Sequence, residues 1–125
     1  MSGFEPATLA TLRDVRVIGI ETSRSPGDPP RETLIWIVVD DAGRVFVRSV
    51  RGARGRWYRD LVPNPLAALL LDGEPLGVRA EPAGDPERVE ACSRAFEAKY
   101  PRAGASLASM LAPETLETTL ELHPA

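Results

Sequence analysis

The chain is 125 residues long, 43% hydrophobic and 26% charged, which suffices for one compact domain with its own core and excludes a disordered chain. Its single cysteine, Cys92, rules out an internal disulfide and a cysteine-based zinc cluster; its single histidine, His123, argues against a Ser-His-Asp triad or a multi-histidine metal site. The net charge is −3, the apolar run Leu34–Val39 is far too short to span a membrane, and nothing resembles a signal peptide, so the expected compartment is the cytoplasm.

The elements follow in chain order. Glu5–Arg13, rich in Ala and Leu, reads as one or two helical turns, and β-branched Val15–Glu21 as a strand. Ser23–Pro30 is a loop, because its prolines cannot continue a ladder. Arg31–Val39 is expected to be one long strand buried on both faces, since its apolar run is unbroken. Asp40–Gly43 forms a hairpin turn. Arg44–Val50 then alternates, with Val45 and Val47 on one face and Arg44 and Arg48 on the other. Arg51–Gly55 is a glycine-bearing loop and Arg56–Leu61 a short helix ended by Pro63 and Pro65.

Leu66–Leu71 is a strand, Asp72-Gly73 a tight turn, and Leu76, Val78 and Ala80 face inward from the next strand. Asp85-Pro86-Glu87 starts a helix with an N-cap, a first-position proline and a first-turn acid. Val89, Cys92, Phe96 and Tyr100 share one face of it, and Pro101 ends it. A second short helix is expected over Ser106–Leu111. Thr118–His123 is a last strand, with Leu120 and Leu122 inward. About six strands with hairpin connections predict an antiparallel, small, closed or partly closed barrel with helices, an α+β domain over 1–125.

Charge placement is more informative than net charge. The segment 44–59 carries Arg44, Arg48, Arg51, Arg54, Arg56 and Arg59 and no acid, whereas the rest of the chain is acidic. Its glycines let backbone N–H groups approach an anion, and arginine forks match phosphate oxygens two at a time. Trp57 beside them offers an aromatic wall, so a phosphate-bearing ligand with a flat ring fits. The competing reading is a solvated basic hairpin whose arginines pair with the surplus acids, internally or across a dimer. No lysine follows the glycines as in a P-loop, and nucleic acid ranks low for so acidic a chain.

The order strand, acidic turn, strand, Ser49-x-Arg51-Gly52, aromatic-led helix, then Leu61-x-x-Asn64-Pro65 before another strand resembles the flavin-binding split-barrel superfamily over about residues 20–82. That superfamily includes the pyridoxamine phosphate oxidases and the deazaflavin-dependent nitroreductases. The Gly55-Arg56-Trp57-Tyr58-Arg59 motif is similar to that of a small bacterial family within it. The resemblance implies a six-stranded antiparallel split barrel of Greek-key type and a flavin-type cofactor, FMN or deazaflavin. It also implies a homodimer with the cofactor in the interface, and oxidoreductase activity. Carried over by position, Arg31 and Thr33 would touch the ring or ribityl chain. Ser49, Arg51, Arg54 and Arg56 would hold phosphate, with Trp57 packing near them. Gly52 and Arg54 stand where relatives commonly carry lysine, and residues 83–125 supply a helix in place of the oxidases' substrate-gripping segment. A non-enzymatic cofactor-binding or structural dimeric barrel is the alternative.

The remaining chemistry-bearing residues have structural explanations. Cys92 on an apolar helix face reads as core, Asp40 and Asp41 as turn chemistry, and His123 as a solvent or dimer contact. Glu90 and Arg94 form an i, i+4 surface pair, and Trp36 is core first, with a chance of lining a ring pocket. No residue stands out as a general acid or base.

Overall fold

A computed structural model describes residues 3–125; Met1 and Ser2 lie outside the described residues. Helix α1 spans Pro6–Asp14, its first-turn proline preset for the helical φ. Strands β1 (Ile18–Thr22), β2 (Arg31–Ile35), β3 (Val38–Val39) and β4 (Val45–Val47) follow. A 3-10 turn at Gly52–Arg54 leads into α2 (Arg56–Leu61). Next come β5 (Leu66–Leu71), β6 (Glu74–Pro82), α3 (Pro86–Lys99), α4 (Ala105–Met110), α5 (Pro113–Leu116) and β7 (Leu120–Pro124). The seven strands form one sheet in the order β2-β1-β5-β6-β7-β4-β3, antiparallel at every pairing. No helix among the described residues is long and apolar enough to cross a membrane.

The expected strand Arg31–Val39 is two strands. The chain leaves the ladder at Trp36–Ile37, so β2 and β3 become the two opposite ends of the sheet and the strand count is seven rather than six. The break has a packing cause. Ile37 is buried in the barrel interior, while Val38 is buried in a second core beneath α3. The Ile37 carbonyl, freed from the ladder, accepts hydrogen bonds from Lys99 Nζ at 2.6 Å and Tyr100 OH at 3.4 Å. Trp36 stacks on Tyr100 at a centroid distance of 4.0 Å. Nor is the segment buried on both faces: Arg31 and Glu32 are exposed and Leu34 is 69% exposed, as suits a strand paired on one edge only.

Two cores therefore sandwich the sheet. The interior one gathers Ile18, Ile20, Val45, Val47, Leu69, Val78, Leu120 and Leu122, and the outer one joins Val38 and Phe46 to Cys92, Phe96, Tyr100 and Met110. Strand β4 contributes to both, so all three of its residues are buried. The expected hairpin turn is present: Asp40 Oδ1 accepts from the N–H of Ala42 and of Arg44. At the start of α3 the Asp85 carboxylate accepts from the Arg88 N–H at 3.1 Å, a side-chain N-cap. The last strand begins at Leu120 rather than Thr118, because Thr118 and Thr119 turn back onto the carbonyls of Thr115 and Leu116. It lies between β6 and β4, pairing Ala80 with Leu122 and Val47 with Leu120.

Candidate functional site

A cavity of about 500 Å³ opens where the broken strand passes the arginine segment. Thr33, Leu34, Ile35 and Trp36 form one wall, the turn Ser49–Arg51 a second, and Gly55–Trp57 at the start of α2 a third. Ser106, Ser109 and Met110 of α4 close the remaining side. Five residues singled out from the sequence thus meet in one cavity: Thr33, Ser49, Arg51, Arg56 and Trp57. Arg31 and Arg54 are exposed and stand outside its lining.

The arginine turn is built tightly. Ser49 is buried, donates its hydroxyl to the Gly52 carbonyl at 2.8 Å, and donates its N–H to Thr118 Oγ1 at 2.9 Å. Gly52 has φ of 63°, where side chains are strained, and a Cβ there would also press on the Glu114 carbonyl at 3.3 Å. A Cβ on Gly55 would overlap the Ser49 hydroxyl outright. Behind the turn stand α5 and Thr118, so the C-terminal part of the chain buttresses it. Trp57 is buried in the interior core and also lines the cavity.

The six arginines divide. Arg44 is held by Asp40 at 2.8 Å and Glu87 at 2.7 Å, and the Glu87 carboxylate chiefly raises its pKa. Arg48 is not solvated, as the competing reading of a basic hairpin would have it: it is 1% exposed. It donates to Thr119 Oγ1, Ser93 Oγ, the Met110 carbonyl and the Val89 carbonyl, and burial lowers its pKa. Arg56 bonds Thr33 Oγ1 at 2.8 Å and lies 3.4 Å from the buried Asp60. Arg51, Arg54 and Arg59 are exposed and, among the described residues, have no carboxylate within ion-pair distance.

Among the residues lining the cavity the only ionisable side chains are Arg48, Arg51 and Arg56. An arginine stays protonated at any physiological pH, so the lining offers anion binding and no proton transfer. The residues that sequence reasoning missed are Ser106, Ser109 and Met110. Their i, i+3, i+4 spacing marks one helix face, yet nothing local says that the face looks back at residues 33–57. Of the two residues behind Arg56, Asp60 offers only the i, i+4 spacing from it as a signal, and Thr22 none.

Elsewhere, His123 is bound within the chain rather than left to solvent. Its Nε2 lies 2.8 Å from Glu81, and Arg88 Nη1 bridges Glu81 and Glu121 at 3.0 and 2.9 Å. The potential ligand atoms of Glu81, Glu121 and His123 lie within 4.8 Å of one another, but the Arg88 cation already occupies the place between the carboxylates. This network fastens α3 to β6 and β7. Glu81 titrates below the usual carboxylate range, chiefly through His123. Burial pushes the Cys92 thiol up to about 12, so it is inert core. Burial and Arg16 bring Lys99 down to about 8.

Comparison with known proteins places this geometry. The family model described as "Uncharacterized protein conserved in bacteria (DUF2255)" matches residues 8–122. No curated protein matches the chain. Among solved structures, a protein of unknown function from Agrobacterium tumefaciens, Atu2129, superposes with a TM-score of 0.66 at 18% identity over 95% of this chain. This chain spans only 54% of that protein's length. HutZ, a heme storage protein from Vibrio cholerae, gives a TM-score of 0.64 at 14% identity, covering 98% of this chain and 91% of HutZ. A putative pyridoxamine 5'-phosphate oxidase from Listeria innocua gives 0.60 at 16% identity, covering 95% and 90%. At such identities the likeness establishes the split-barrel fold, as the sequence resemblance implied.

Proposed function

The chain belongs to the DUF2255 family, and we propose that its cavity binds a flavin-type cofactor, FMN or a deazaflavin, as part of an oxidoreductase. The observation that carries this reading is the lining: aromatic and aliphatic walls from Leu34, Ile35, Trp36 and Trp57, with arginine as the only ionisable type. A flat ring suits such walls, an anionic tail suits Arg51 beside the exposed Arg54, and Ser49 fixes the turn between them. A cofactor that itself carries the hydride needs no acid or base from the protein, only position and electrostatics. Arg31 and Thr33 lie on the same strand, and Thr33 reaches the cavity.

The haem named for HutZ fits less well, because His123 stands in the Glu81 network on β7 and lies outside the cavity. Only Met110 among the lining residues is a customary haem ligand. Leu34 and Val50, exposed at the mouth, would be covered by a second copy of the chain, so the working form is proposed to be a homodimer.

Thermal melting against FMN, FAD, a deazaflavin and haem tests the reading. A flavin at 100 times its dissociation constant is expected to add about 2.7 kcal/mol, several degrees for a chain of this size. The shift should be lost in Arg51→Ala. No shift with any flavin, or a shift with haem alone, overturns the proposal. Reduction of the bound cofactor by a nicotinamide or by a reduced deazaflavin separates an oxidoreductase from a carrier. Sedimentation of the purified protein reports the dimer.

A further inference from the structure

The arginines around the cavity are not electrically equivalent. Among the described residues Arg51 has no carboxylate within ion-pair distance, whereas Arg56 faces a carboxylate that is almost wholly buried: Asp60 is 4% exposed. Asp60 Oδ2 accepts from Thr22 Oγ1 at 2.9 Å and lies 3.4 Å from Arg56 Nη1. On its other side Arg56 Nη2 donates to Thr33 Oγ1 at 2.8 Å. A chain of polar contacts therefore runs Thr22–Asp60–Arg56–Thr33, from β1 through α2 to β2. It holds one guanidinium in a fixed pose, with three of its five N–H groups not engaged in it.

A phosphate placed on Arg56 would stand close to the buried Asp60 carboxylate. The paired acid offsets part of the charge a dianion would feel. A neutral acceptor, such as a ring carbonyl or a sugar hydroxyl, meets neither objection. The fixed fork of N–H groups favours it for its geometry.

We propose that Arg56 donates to a neutral oxygen of the cavity's ligand rather than to its phosphate, that Asp60 is the positioning residue that holds it there, and that phosphate recognition falls to Arg51. This rests on the flavin reading above and divides the ligand between two arginines five positions apart in the sequence. Thr33 then shares the Arg56 end of the cavity.

FMN and riboflavin share ring and ribityl chain and differ by the phosphate alone, so the ratio of their affinities isolates phosphate recognition. The wild-type protein should prefer FMN, and Arg51→Ala should bring the ratio close to one. Asp60→Asn keeps the shape but unmasks the Arg56 charge, so the ratio should rise by about threefold to tenfold, a change that structural damage does not produce. The double variant Arg56→Gln with Asp60→Asn keeps the pair's net charge. It should weaken both ligands by about tenfold, leave the ratio as in the wild type, and shift the absorption maxima of bound flavin. Arg51→Ala should leave those maxima in place. If the double variant collapses the ratio as Arg51→Ala does, Arg56 is a phosphate ligand; if Asp60→Asn leaves the ratio unchanged, the Asp60 charge is not what keeps phosphate from Arg56; either result overturns the proposal while the flavin reading stands. If the folded wild-type protein binds neither FMN nor riboflavin the proposal fails, and the flavin reading fails with it only when FAD and the deazaflavin also leave the melting temperature unchanged.

Discussion

The two halves of the arginine segment do opposite things with the same side chain. Arg44 and Arg48, on either side of β4, are consumed by the fold: one locks the hairpin turn to α3, and the other sits at the junction of β4, α3, α4 and the approach to β7. Among the described residues Arg51, Arg54 and Arg59 have no carboxylate within ion-pair distance and remain exposed. Burial decides the role of Arg48, and the acids within reach, Asp40 and Glu87, decide that of the partly exposed Arg44. A guanidinium without access to water must find oxygen partners inside the protein, and an exposed one is free for a ligand.

The comparison breaks most visibly at Arg48. Arg48→Met removes a donor to four internal oxygens, and we expect a loss of about 3 kcal/mol or more, read from urea unfolding. A loss below about 1 kcal/mol would mean that those oxygens find other partners. Next in size is Gly55→Ala, whose new methyl overlaps the Ser49 hydroxyl. It should cost about 1–3 kcal/mol, and Ser49→Ala in the same chain should return part of it. If the double variant is no more stable than the single one, the overlap is not the cause.

The Glu81 network gives a smaller, pH-dependent effect. Glu81 has a folded pKa below its ordinary 4.5. Its contribution is therefore fully present above about pH 4.5 and is lost as pH falls through the lower folded value. Urea midpoints from pH 6 to pH 3 should fall less steeply in Glu81→Gln than in the wild type. An unaltered slope would remove Glu81 from the acid response. Smallest of all, Arg59→Ala and Arg54→Ala should change stability by no more than about 0.5 kcal/mol. A larger loss in either would show that the exposed half is also structural.

How far such roles could be foreseen depends on how local their causes are. The α3 start, the Asp40 turn and the inward faces of β6 and β7 follow from capping, turn chemistry and alternation within a few residues. The break at Trp36–Ile37 does not, because it is made by Lys99 and Tyr100, more than sixty residues away. An unbroken apolar run looks the same whether it feeds one core or two. In the cavity, Ser49, Arg51, Arg56 and Trp57 lie within one short stretch and could be gathered by eye. Ser106 and Ser109 could not, since their relevance comes only from packing across the sheet, whereas Asp60 offers the local i, i+4 spacing from Arg56 on α2.

The position of β7 bears on how the molecule is made. Strands β3 and β4 join the rest of the sheet only through it. On the ribosome, then, the first hundred or so residues can pair β2, β1, β5 and β6, while the hairpin that carries the arginine turn waits for residues 120–124 to emerge. That contact spans some seventy residues of chain, the slow, non-local kind of closure. Within this domain the cavity is thus completed only after β7 has been made, and a nascent chain shows its arginines before it has a pocket to put them in.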